Sequence, residues 1–374
     1  MKKFRVVAVV MVIVMLLTGC GAQNENVPKE YRKLFRNGSF DENMVWRCDD
    51  EQYRELVERL SSKCGYVYEG SVIVATDEQV LFAGGWNSFE TDGETVVNPF
   101  TTYEIGSVTK QFTAACILQQ VQAGNIRVED TLDKYFPEYP YGSQITVDQL
   151  LHMRSGIVDY VNEPMDFYDG DIDLYLEFNE GRLTDEEILD ILYKNELKFE
   201  PGKRYSYSNT NYFLLALILE QVSGLTYKEY VQKNIFEPCG MTMSTSCEVG
   251  NVNSVPESDG YMLTAASARG AGDIHSNVCD LLLWDRAILS GKLLNEEQTQ
   301  YMTAMQGEYA CGWMDLNDGN IGHSGATMSY IADNIIVQAE GIGRVYVIVL
   351  ASSYTQSYNQ QVIPEIVEAF FDER

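Results

Sequence analysis

Ser107 and Lys110 form the single Ser-x-x-Lys of this chain. On a helix that spacing puts the two side chains on one face, beside each other. A lysine amine with its ordinary pKa near ~10.4 is a poor base at neutral pH, but burial in an apolar wall or beside another cation lowers that value until the amine can take a serine proton. The segment Tyr103 to Thr113 opens a helical pattern that Gly124 would end. A serine at a helix start also lies beside free backbone N–H groups and the positive end of the helix dipole, where the oxyanion of an acyl-transfer intermediate would form. Such a spacing is expected about once by chance in a chain this long, and an ordinary capping serine with a solvated lysine is its bland alternative.

Two further stretches supply what acyl transfer would need. Tyr207-Ser208-Asn209 follows a Pro201-Gly202 turn and precedes the apolar helical run Phe213 to Leu219. From one tight loop the phenol could relay protons and the amide could bind a substrate carbonyl or the lysine. Tyr-x-Asn recurs at Tyr160 to Asn162 and Tyr193 to Asn195, outside such a context, and those two are read as surface tyrosines. Gly322-His323-Ser324-Gly325-Ala326 stands just ahead of a predicted strand at 330. Small residues let a strand edge approach a ligand closely, and the Ala326 N–H is a candidate second oxyanion donor beside that of Ser107. His152, in an apolar stretch, reads as a packed histidine and His275 as a solvated loop residue; no metal-ligand spacing joins the three histidines.

With these three motifs in order, and with the flanks Ile145 to His152 leading to Ser155-Gly156 and Phe236 to Met241, the chain resembles the serine beta-lactamase-related family, the group of class C beta-lactamases and D-alanyl-D-alanine carboxypeptidases, over about residues 66 to 372. The resemblance implies an α/β, two-lobed beta-lactamase-like fold, an antiparallel sheet flanked by helices plus a mostly helical inserted lobe, with no metal and no organic cofactor. It implies Ser107 as nucleophile, Lys110 and Tyr207 as proton carriers, Asn209, His323, Ser324 and Gly325 as substrate-binding residues, and the N–H groups of Ser107 and Ala326 as the oxyanion hole. The expected function is a serine hydrolase acting through an acyl-enzyme on amide or ester bonds, foremost in D-amino-acid peptides. An esterase, a beta-lactamase or a slowly deacylating penicillin-binding sensor are the alternatives. His-Ser-Gly stands where beta-lactamases of this group carry Lys-Thr-Gly, and the Glu-x-x-Leu-Asn arrangement of class A enzymes is missing; both speak against efficient penicillin destruction.

The elements that must hold these residues follow from periodicity. Residues 51 to 62 show helical spacing, 71 to 75 and 79 to 83 read as a hairpin, and 330 to 337 and 344 to 351 as a distant strand pair, the second of which is apolar throughout and therefore central. Helical stretches at 147 to 153, 184 to 195 and 209 to 223 suggest a helical lobe, 126–269, inserted between sheet segments 49–125 and 270–374; a last helix is expected over 359 to 371. Lys2, Lys3 and Arg5, the apolar run from Val6 to Leu17 and Leu17-Thr18-Gly19-Cys20 read as an export signal, 1–19, with lipidation of Cys20, followed by a membrane-proximal spacer, 20–48. The expected setting is thus extracytoplasmic, with the membrane reached through a lipid at Cys20. A formal net charge of −28 makes nucleic acid a poor partner. A small molecule or peptide is the expected ligand, and no obligate protein partner is evident. The other seven cysteines show no zinc spacing, and no disulfide is assigned.

Overall fold

The computed structural model describes residues 27–64, 70–86, 97–246, 268–327 and 330–352, with residue 364. Cys20 and, residue 364 apart, the expected helix at 359 to 371 lie outside them. Eleven strands are described: β1 (Gly38–Phe40), β2 (Trp46–Cys48), β3 (Gly70–Thr76), β4 (Val80–Trp86), β5 (Tyr103–Glu104), β6 (Thr245–Ser246), β7 (Ile274–Ser276), β8 (Met314–Asp315), β9 (Ile321–Ala326), β10 (Tyr330–Ala339) and β11 (Gly343–Ser352). Eight form an antiparallel sheet in the order β1-β2-β4-β3-β11-β10-β9-β8. The apolar β11 pairs with β3 on one side and β10 on the other, so both of its faces are covered, as its unbroken hydrophobicity demands. Val345, Val347 and Val349 join one apolar layer while Tyr346, Ile348 and Leu350 join the other.

One layer lies under the helix Arg54–Cys64, which contributes Leu56, Val57 and Leu60. The opposite layer is shared with the rest of the molecule: Ile348 and Leu350 belong to the same hydrophobic cluster as the helices Thr109–Gln122 and Asn209–Ser223, which pack on each other. Those two helices are buried around most of their circumference, so their apolar residues are spread around the helix rather than gathered in one stripe. The helical segments between 147 and 239 therefore have no separate core; they extend that of the sheet. A small sheet, β5-β7-β6, ties the chain just before Ser107 to the segment returning from the helical region.

The reading of 20–48 as a spacer is corrected for residues 27–48. Val27, Tyr31, Phe35, Phe40 and Trp46 are buried, and β1 and β2 extend the sheet beyond β4. The Trp46 indole donates to Val80 O at 3.1 Å, and Tyr31 stacks on Phe100 and donates to Asp280. The aromatic side chains of this stretch are spaced too irregularly to mark a helix or a strand, yet they cap the sheet edge and remove large apolar area from water.

Candidate active site

Ser107 sits in a single 3-10 turn, Gly106–Val108, that runs directly into the helix Thr109–Gln122. Lys110, in the first turn of that helix, is fully buried, and its Nζ lies 2.9 Å from Ser107 Oγ, 2.7 Å from Asn209 Oδ1 and 2.7 Å from Ala271 O. Burial lowers the amine from 10.5 to about 7, against the opposing pull of the Asp159 carboxylate. The amide oxygen and the carbonyl can only accept, so an uncharged amine spends its two N–H groups on Asn209 and Ala271. Its lone pair is then left for the serine O–H.

Asn209 is oriented from behind. Its Nδ2 donates to both oxygens of Asp159, at 3.2 and 3.0 Å, which turns its Oδ1 toward the lysine. Asp159 is held in turn by the N–H groups of Val161 and Asn162. Tyr207 donates its hydroxyl to Ser107 Oγ at 2.7 Å, and burial pushes its phenol well above its ordinary range, so it acts as a donor rather than as a phenolate. The Lys110 Nζ also lies 4.9 Å from the centre of the Tyr207 ring.

The third motif reaches the serine through backbone. A Cβ on Gly325 would lie 2.0 Å from Ile105 O and 2.9 Å from Ser107 N, and one on Gly106, whose φ is +49°, would lie 2.8 Å from Ala326 N. Only glycine permits that approach at either place. Ser107 and Ala326 thereby border one cleft of about 490 Å³, together with Tyr207, Asn209, His323, Ser324 and Gly325. Their two N–H groups are the candidates for holding an oxyanion. Among the described residues, no group of three or more His, Cys, Asp and Glu side chains is placed to hold a metal ion.

The Beta-lactamase family model matches residues 65–363. The chain belongs to the Beta-lactamase family. Protein flp of Staphylococcus aureus is 26% identical over 346 residues, 86% of this chain and 66% of its own length, and PbpX of Bacillus subtilis is 25% identical over 266 residues, 67% and 64% respectively. The chain thus spans just under two thirds of the length of these curated relatives. Among solved structures, a D-stereospecific amidohydrolase from Streptomyces sp. superposes with a TM-score of 0.66 at 23% identity, covering 86% of this chain and 98% of that one. The D-amino acid amidase of Ochrobactrum anthropi SV3 does so with a TM-score of 0.67 at 19% identity, covering 87% and 100%. These likenesses establish the fold.

Within this Beta-lactamase-family site the three motifs come together as their order suggested, but four residues differ from their sequence reading. His323 is buried. Its Nδ1–H donates to Ser324 O at 2.7 Å and its Nε2 accepts from the Tyr309 hydroxyl at 3.0 Å, so both nitrogens are used inside the protein rather than on a ligand. Burial, and the charge that Lys110 carries when protonated, push its pKa down to about 3, which keeps the ring neutral. Tyr160 is no surface tyrosine: it is fully buried against Phe167, Phe178 and Phe213. Tyr193 is half-buried and stacks on Tyr139. His275 lies on β7, partly buried and 3.7 Å from Glu104, its cross-strand partner on β5. His152 is packed as expected, with its Nε2 3.6 Å from Cys311 Sγ. Asp159, Tyr309 and Asp333 were missed. Nothing in their local sequence distinguishes them from the chain's many other acids and tyrosines.

Proposed function

We propose that this protein is a serine hydrolase that cleaves amide bonds through an acyl-enzyme, with D-amino-acid peptides and amides as its substrate class. The observation that carries the reading is the contact of Ser107 Oγ with both the buried Lys110 amine and the Tyr207 hydroxyl inside the cleft. In the mechanism, neutral Lys110 accepts the proton of Ser107 as its oxygen attacks the carbonyl carbon. The N–H groups of Ser107 and Ala326 stabilise the resulting oxyanion. Tyr207 passes a proton to the departing amine, and Lys110 restores it, so the acyl-enzyme forms with no net change in charge. Water then adds to the ester, giving up its proton to the same base, and the acid leaves as Ser107 regains its hydrogen.

The D-amino-acid preference is supported by the names of the structural neighbours, a D-stereospecific amidohydrolase and a D-amino acid amidase, whose identities to this chain warrant only the fold. The residue pattern at 1–20 supports an extracytoplasmic enzyme tethered by a lipid at Cys20. The deciding experiment follows intact mass and product release for the purified protein with matched D- and L-peptide amides, esters and penicillins. Turnover of D-amides that is lost in Ser107→Ala supports the reading. Turnover of esters alone makes the protein an esterase, of penicillins foremost a beta-lactamase, and a stable adduct without product a slowly deacylating sensor. Palmitate incorporation that persists in Cys20→Ser would remove the proposed anchor.

A further inference from the structure

Asp333 lies on β10 opposite Ser324 of β9, and both side chains line the cleft. Its Oδ1 accepts from the Ser324 hydroxyl. Among the described residues no lysine, arginine or histidine pairs with it, although the residue is only 9% exposed. A buried carboxylate is ordinarily paired or neutralised, because its desolvation is not otherwise compensated. Here burial raises the carboxyl from 3.8 to about 6, the Ser324 hydrogen bond opposing, so most of it is ionised at pH 7.5.

The rest of the wall sharpens the point. Of the described residues lining the cleft, Asp333 alone carries a formal charge, since His323 is neutral and the tyrosines are uncharged. The Lys110 amine lies behind the wall and is already bound to Ser107, Asn209 and Ala271. A ligand entering the cleft therefore meets one fixed charge, a negative one, beside an exposed hydroxyl, on a protein whose net charge of −28 draws cations toward it.

We propose that this cleft selects substrates carrying an ammonium group, which Asp333 and Ser324 receive, and that it disfavours carboxylates at the same place. Asp333 is then a specificity residue for an amine-bearing peptide or amide. The assignment rests on the hydrolytic reading of the same cleft and deepens it. A charge-assisted hydrogen bond at a buried site is worth roughly a tenfold to hundredfold preference.

The test uses the full-length protein in detergent and two matched substrate pairs. One pair places the charge on the acyl side, D-alanine p-nitroanilide against its N-acetyl form. The other places it on the leaving group, the N-(2-aminoethyl)amide of N-acetyl-D-alanine against the N-propylamide. The expected result is a kcat/KM ratio of about tenfold or more favouring the ammonium in at least one pair, falling below about threefold in Asp333→Asn. Labelling by a neutral fluorophosphonate reports whether the variant's site is intact. If that variant does not label, the wild-type ratios decide. Wild-type ratios near one in both pairs, or a ratio that survives Asp333→Asn in a site that still labels, overturn the proposal. Calorimetry on Ser107→Ala with D-alaninamide and with N-acetyl-D-alaninamide measures the ammonium preference without turnover. Tighter binding of the amine there, in a protein that hydrolyses neither pair, would retain the subsite and reject the hydrolase. Hydrolysis without any such preference would do the reverse.

Discussion

Replacing Lys110 with methionine tests the buried amine without a substrate. In the folded protein burial lowers Lys110 from 10.5 to about 7, whereas the unfolded chain restores its ordinary value. Between those two pH values the unfolded state holds one proton that the native state lacks, so wild-type stability rises with pH across that window, by about 1.4 kcal/mol per pH unit. The whole difference corresponds to roughly 5 kcal/mol, the scale of penalty for keeping the amine charged in the folded protein below pH 7. Methionine occupies similar space but has no proton to lose. Its absolute stability mixes relief of that penalty with the loss of the lysine's bonds to Asn209 and Ala271. The slope against pH is therefore the clean quantity. Urea unfolding of both proteins at pH 7.5, 8.5 and 9.5 should show wild type gaining roughly 2 to 3 kcal/mol on Lys110→Met over the series. The same titration should appear as a rising limb near pH 7 in wild-type kcat/KM. Parallel stability curves would mean that Lys110 is an ordinary charged lysine in the folded protein and would refute the assignment of Lys110 as a neutral base.

Tyr207→Phe should lower kcat by about a hundredfold or more, the usual scale for losing a positioned proton carrier, while Tyr160→Phe should spare turnover. Because the Tyr160 hydroxyl is buried without a hydrogen-bond partner among the described residues, its removal should raise unfolding stability by about 1 kcal/mol, and a loss of stability in calorimetry would count against that environment. Gly325→Ala forces a Cβ onto Ile105 O and Ser107 N; fluorophosphonate labelling of Ser107 should slow by about a hundredfold, and an unchanged rate would dissociate β9 from the oxyanion site. Trp46→Ala should cost about 3 to 5 kcal/mol in denaturant unfolding if residues 27–48 belong to the core, whereas a spacer would lose under about 0.5 kcal/mol.

How far the site was legible depended on distance along the chain. Ser107 and Lys110 are one helical turn apart, so local geometry alone brings them together, and the turn-then-helix setting singled out Tyr207 and Asn209 among three Tyr-x-Asn stretches. The strands β3, β4, β10 and β11 were legible for the same reason: alternation or continuous hydrophobicity is a local property of the residues that fill a sheet. The helical pattern of Asn209–Ser223 was visible, but not that Asp159, fifty residues earlier, would hold its first residue.

What the sequence determined by itself is the set of three candidate motifs and the elements that carry them, because helical spacing, turn residues and strand patterns act over a few residues. Tertiary structure decided the rest. It buried Lys110 and so lowered the pKa of its amine, closed both nitrogens of His323 inside the protein, sank Tyr160 into the core, folded residues 27–48 onto the sheet edge, and set Asp333 across from Ser324 in the cleft. Each of these outcomes turns on desolvation or on a partner far away in sequence, and the charge state of a side chain is set by the water it loses and the neighbours it gains. No window of the chain contains that information; it exists only once the sheet and the two central helices have packed.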